Sequence, residues 1–261
     1  MGAIERDISL VYCIIFNGLG FQKKEVDALD YKGLEDKVTG IGLRIEENEL
    51  LHSVAEAVAC AGPWGVSMEM VAKISGLSKS GLYAHFKNKR DMLFQLFATE
   101  IERIIGFAEE SMKFSPVPAE RLYLAIFSIG DYLRSRPDVL IALDWLRTRR
   151  IEFPEPAEDK VPSRLYRIFR GLQVSPDVKG RFRNAEGDWI PAWILFLEVT
   201  SLMHYARVDK KRFTEWLSMP KVSRRQFSRK EFSKIPNETF RNLYRLIVRG
   251  MGDLIPQTQV C

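Results

Sequence analysis

Apolar residues recur three and four positions apart along most of this chain, the spacing of helices that bury one face. Residues 46–61 put Leu50 or Leu51, Val54, Ala57 or Val58, and Ala61 on one stripe, which predicts a helix ended by Gly62, Pro63, Trp64 and Gly65. A short helix is predicted after Ser67, with Val71, Ala72 and Ile74 as its apolar and small positions. Gly76 falls where a tight turn needs positive φ. Ser78 can cap the next helix, in which Leu82 and Phe86 face inward. Asn88 opens a long helix through Met92, Leu93, Leu96, Phe97, Ile101, Ile104 and Ile105 to about Met112. Ser115, Pro116, Val117 and Pro118 break it. Further helices are predicted at 119–135, from Arg136, Pro137 and Asp138 to Arg150, and at 163–172, 189–206 and 237–251, with a surface loop at 152–162. Strand signals are scarce, so the expected fold is all-α.

In residues 1–45, the apolar run 8–16 and Leu29, Leu34 and Val38 predict helices that pack on something. Two readings stand: a helical extension covering the body or head, or a degenerate second helix-turn-helix-like unit. The run 8–16 is too short to span a bilayer. It lacks a basic n-region and a small-residue cleavage site, so neither a signal peptide nor a membrane segment is expected.

The inward placing of Leu82 and Phe86 leaves Lys79, Ser80, Gly81, Tyr83 and His85 on the outer face of their helix. One cation, several hydrogen-bonding groups and a residue without a side chain suit phosphate oxygens and base edges. Charge agrees with this. Lys73, Lys79, Lys87, Lys89 and Arg90 stand against Glu69 alone in 67–90, whereas residues 1–50 are net acidic, which argues against DNA contact there. The net charge of the whole chain is only +5, so its distribution says more than its total.

The positions Gly76, Ser78, Gly81, Leu82, Tyr83, His85, Phe86 and Lys89 resemble the DNA-binding signature of the TetR family of bacterial transcriptional repressors. The resemblance covers residues 47 to about 95. It implies DNA contacts from Ser67, Ser78, Lys79, Ser80, Gly81, Tyr83, His85 and Lys89. Lys79, Ser80 and Gly81 would meet base edges, Tyr83, His85 and Lys89 would meet phosphates, and Ser67 would cap and contact phosphate together. Ala72, Leu77, Leu82 and Phe86 are expected in the core, and Trp64 is expected to pack at the exit of the first helix. The implied organisation is a helical N-terminal extension over 1–45, a DNA-binding domain over 46–92, and a helical ligand-binding and dimerisation domain over 93–261. The last contains a basic insert at 207–234, read as a solvated loop or as auxiliary contact with DNA, an acidic partner or an anionic surface.

The resemblance also implies a homodimer built on the last two helices and a pocket in the body for an unknown small-molecule effector. Phe127, Trp145, Phe169, Trp193 and Phe196 are candidate lining residues, with ordinary core packing as the plainer reading of each. His204 is a candidate polar anchor, or else a satisfied core histidine. The function expected is that of a ligand-responsive cytoplasmic regulator, a repressor, binding a palindromic double-stranded DNA operator. An architectural or division-control protein with the same head, or a small-molecule binder with a vestigial head, remain alternatives. Enzymatic chemistry is not expected. The stretch from Gly76 to Leu82 lacks the lysine of a phosphate-binding loop, and His52, His85 and His204 form no metal-ligand spacing. No metal or cofactor is therefore expected. The scattered cysteines Cys13, Cys60 and Cys261 fit a reduced compartment.

Overall fold

The computed structural model describes residues 18, 21, 23–41, 48–149, 189–208, 232 and 234–250. Ten helices follow in order among them: α1 (Lys23–Asp27), α2 (Tyr31–Ile41), α3 (Glu49–Gly65), α4 (Met68–Ser75), α5 (Lys79–His85), α6 (Lys89–Met112), α7 (Pro118–Ser135), α8 (Pro137–Arg149), α9 (Trp189–Val208) and α10 (Glu238–Arg249). No strand occurs among the described residues. The predicted loop at 152–162, the helix at 163–172 with Phe169, the run 8–16 and most of the basic segment 207–234 lie outside them.

The centre of the body is α7. Leu122, Tyr123, Leu124, Ala125, Ile126, Phe127, Ile129 and Leu133 are all buried, which covers nearly its whole circumference. A helix apolar all round must be enclosed. Here α2, α6, α8, α9 and α10 all pack against it. Gly130 lets α10 approach closely, since a Cβ there would lie 2.2 Å from the Phe240 ring. Phe240 in turn meets Phe127 edge-on, and Tyr123 stacks on Phe127.

Residues 23–41 form two helices docked on the body, α2 against α7 and α1 against α10. Their apolar anchors are Val26, Leu29, Leu34 and Val38. The polar anchor is Glu35, a buried carboxylate on α2. Its Oε1 accepts from Tyr123 Oη of α7 at 2.5 Å and from Arg241 Nε at 2.7 Å. Its Oε2 accepts from Arg241 Nη2 and Asn237 Nδ2, both at 2.9 Å. Burial by itself raises the Glu35 carboxyl, but the bonds from Arg241, Tyr123 and Asn237 outweigh it and hold the group below its ordinary value. Tyr31 sits edge-on to Tyr123 and beneath the guanidinium groups of Arg241 and Arg245. Asp27 pairs with Arg249. Residues 23–41 thus pack on the body through both apolar and polar contacts.

Two positions differ from expectation. Leu77 is 39% exposed rather than buried, because the turn at Gly76 carries it past the core-facing stripe of α4. Trp64 is 62% exposed, since Gly62 turns the chain with φ 69° just before it.

Candidate nucleic-acid interface

Each helix of the head starts on a side chain that accepts a backbone N–H, which meets a donor the helix itself leaves unpaired. Asn48 Oδ1 accepts from Leu51 N at 3.1 Å, Ser67 Oγ from Met70 N at 3.2 Å, Ser78 Oγ from Gly81 N at 3.0 Å, and Asn88 Oδ1 from Asp91 N at 2.9 Å. Between α4 and α5, Gly76 takes φ 73° and ψ 11°, a left-handed cap, and Leu77 N donates back to Ala72 O. A Cβ at Gly76 would meet nothing within 4 Å, so the glycine is required by backbone conformation and not by crowding.

The core of the head is Leu51, Val54, Val58, Val71, Ala72, Leu82 and Phe86. With Leu82 and Phe86 inside, Ser78, Lys79, Ser80, Tyr83 and His85 are exposed and Gly81 is half-buried. The structure thus brings the expected contact residues of α5 onto one short helix. Gly81 leaves its end open to close approach. Lys79 pairs with Glu69 of α4, and both are solvated. The hydrogen bond to Glu69 raises the Lys79 ammonium and lowers the Glu69 carboxyl. An exposed pair of this kind contributes little to stability, so the ammonium can be handed to a phosphate. Lys89 lies at the first turn of α6 and donates to Trp64 O at 2.7 Å, which ties the start of α6 to the exit of α3. Half-buried Ser67 acts as the cap of α4.

The head rests on the body through α3 against α8 and α6 against α7. A chain of buried and half-buried polar groups crosses this junction. His52 Nδ1 of α3 lies 3.0 Å from Asp138 Oδ2 on α8. It also lies 3.3 Å from Arg136 Nη2. Arg136, at the joint between α7 and α8, also donates to Asp138 at 3.1 Å and lies 3.9 Å from Glu100 of α6. Glu100 accepts from Tyr132 of α7 and from Arg103 at 2.8 Å. Burial opposes the charge on Asp138, but His52 and Arg136 override it and hold the carboxyl far below its usual range. Neither His52 nor Arg136 was singled out in the sequence as functional. The one signal was a histidine on the first helix of the head.

Of the candidate pocket aromatics, only Phe127 and Trp145 have described side chains. Phe127 is buried in the aromatic cluster with Tyr123 and Phe240. The Trp145 indole lies against Gly62, at the head–body junction. Trp193 and Phe196 lie on α9, and their side chains fall outside the description. His204 is exposed on α9, so in this chain it is neither a core histidine nor a buried anchor.

Residues 50–96 match the sequence pattern of the bacterial regulatory proteins of the tetR family. Over those residues the chain is similar to that family. That family is one of DNA-binding regulators and not of enzymes. The chain is 26% identical over 86 residues to the uncharacterized HTH-type transcriptional regulator YhgD of Bacillus subtilis (strain 168). It is 30% identical over 78 residues to the fatty acid metabolism regulator protein of the same organism. These alignments cover 33% and 30% of the chain and 45% and 40% of the relatives, so the chain spans less than half the length of either. Two solved structures share the fold. The transcriptional regulator FadR from Bacillus subtilis, in complex with stearoyl-CoA, superposes with a TM-score of 0.50 at 19% identity, over 72% of this chain and 98% of that one. The fatty acid degradation regulator FadR from Bacillus halodurans superposes with a TM-score of 0.51 at 15% identity, over 72% and 99%. Among the described residues no helix is long and apolar enough to cross a membrane.

Proposed function

We propose that this chain is a ligand-responsive, sequence-specific transcriptional regulator, a cytoplasmic repressor that binds a palindromic operator as a homodimer. The supporting observation is the first turn of α5. It is anchored by Ser78, carries Lys79, Ser80 and Gly81 outward, and is flanked by exposed Tyr83 and His85. In a helix-turn-helix the N-terminal residues of the second helix reach base edges, and a dimer sets two such helices about 34–36 Å apart on successive major grooves. Tyr83, His85, Ser67 and Lys89 then address phosphates. Lys79, Lys89 and Arg90 each count twice in the dimer, so affinity falls steeply with salt.

The effector binds in the body and acts through the junction of α3 with α8. It can weaken DNA binding only by binding one head position more tightly than the other. The polar chain from His52 to Glu100 and the contact of Trp145 with Gly62 are discrete contacts that such a shift would rearrange. The effector class we propose is a fatty acyl thioester. This reading is supported by the fold shared with two fatty-acid regulators and by 30% identity over 78 residues to a fatty acid metabolism regulator protein.

The test is fluorescence anisotropy of the full chain on DNA from upstream of its own gene, titrated with salt and against scrambled DNA. Specific binding should exceed scrambled binding by about two decades or more. Lys79→Ala and Tyr83→Phe should weaken it while leaving the far-UV circular dichroism unchanged. Unchanged affinity in both folded variants refutes the contact surface. Equal binding to both DNAs instead favours an architectural role for the same head.

A further inference from the structure

The buried stripe of α9 reads Ile194, Leu195, Glu198, Val199, Leu202 and Met203, and α9 packs against α7 and α8. Glu198 interrupts that stripe. It is 0% exposed, and neither carboxyl oxygen has a hydrogen-bond partner among the described residues. The contrast with other buried acids is sharp. Glu35 answers Arg241, Asp138 answers Arg136, and Glu100 answers Arg103. Packing alone gives no reason for an acid at 198, where leucine would fill an apolar contact without an unmet polar group. Burial drives this carboxyl above its ordinary value, which favours the uncharged form, a hydrogen-bond donor that has no partner among the described residues.

We propose that Glu198 is the polar anchor of the effector site and donates its carboxyl proton in a hydrogen bond to the carbonyl oxygen of a bound acyl chain. The inference rests on the reading that the effector is an acyl thioester held in the body. A neutral carboxyl meets an uncharged carbonyl without moving a proton and without burying a charge. An organic cation would require both. The apolar neighbours on the stripe suit the hydrocarbon chain that leads away from that carbonyl.

The test compares stearoyl-CoA with its thioether analogue, in which the same chain is joined to sulfur without the carbonyl. Binding to the full chain is measured by isothermal titration. Wild type, Glu198→Gln and Glu198→Leu are the proteins. Glu198→Leu removes an unmet polar group, so it should fold with a Tm at least equal to wild type, and operator binding confirms an intact head. The expected result is a loss of about tenfold in stearoyl-CoA affinity for Glu198→Leu, the size of one buried hydrogen bond left unmade. Glu198→Gln keeps an N–H donor and should stay within about threefold of wild type. The thioether should bind wild type and Glu198→Leu alike. If wild type binds stearoyl-CoA and Glu198→Leu binds it equally well, the anchor is overturned while the acyl reading stands. If wild type binds no acyl-CoA, the acyl reading fails and the anchor with it. A wild-type preference for dodecylamine that Glu198→Gln abolishes would also overturn it, assigning the carboxylate to a cation.

Discussion

Replacing Glu35 by alanine removes four hydrogen bonds at once and separates the N-terminal helices from the body. Tyr123 Oη is left buried without the partner it has here, and Asn237 loses its bond to the carboxylate. Arg241 suffers less. It is part-exposed and keeps Glu238 at 3.4 Å. Breaking a buried ion pair by removing one partner costs about 3–5 kcal/mol, and the residual options of Arg241 place this case near 3. For a chain of this size that lowers Tm by about 6–12 °C. Differential scanning calorimetry reads the loss, and hydrogen exchange of the amides at 31–41 shows whether α2 opens first. A second handle is pH. The folded carboxyl lies below its ordinary value, so its contribution is fully present above the unfolded value and is lost as pH falls through the folded one. The gap between wild type and Glu35→Gln should therefore be open at neutral pH and close in acid, below about pH 4. Arg241→Ala combined with Glu35→Ala should cost much less than the two singles added. A Tm within 2 °C of wild type, with unchanged protection of α2, would show that the clasp does not hold the extension.

Gly76→Ala should cost about 1–2 kcal/mol, because an L side chain is strained at φ 73° although space is free, and Gly76→Asn should cost less. Thermal melts of the head signal check both. Gly130→Ala should destabilise by about 1–3 kcal/mol despite the better helix propensity of alanine, since its Cβ collides with the Phe240 ring, and a rise in Tm would contradict the packing. Asp138→Asn leaves Glu100, at 3.9 Å, as the one carboxylate near Arg136 among the described residues and should speed hydrogen exchange across α3 and α8 before the rest of the body. Uniform exchange in that variant would remove the junction from the coupling route.

The head was legible because its signals are local. Ser67, Ser78 and Asn88 are caps that act within three residues, and Gly76 announces a backbone angle. The start of α6 followed from Asn88, and its end near Met112 from the prolines at 116 and 118. Leu77 and Trp64 misled because hydrophobicity says that a residue prefers burial, not whether the turn beside it points inward. The clasp at Glu35 and the chain from His52 to Glu100 left no local trace. Their partners lie 88 to 206 positions away for Glu35, and 84 for His52 and Arg136. An acid on an amphipathic helix reads as solvated until its distant arginine is placed.

Glu35 and Arg241 are separated by 206 residues, and this bears on how the chain is made. At about 5–20 residues per second, the partner of Glu35 leaves the ribosome roughly 10–40 s after Glu35 itself. Through that interval α1 and α2 have an apolar face and an acid but no finished site to dock on. The head, whose caps and core lie within residues 48–91, is under no such delay. The last described helix therefore closes the first, and a chain interrupted before Asn237 would carry a complete head on a body whose opening segment never locks.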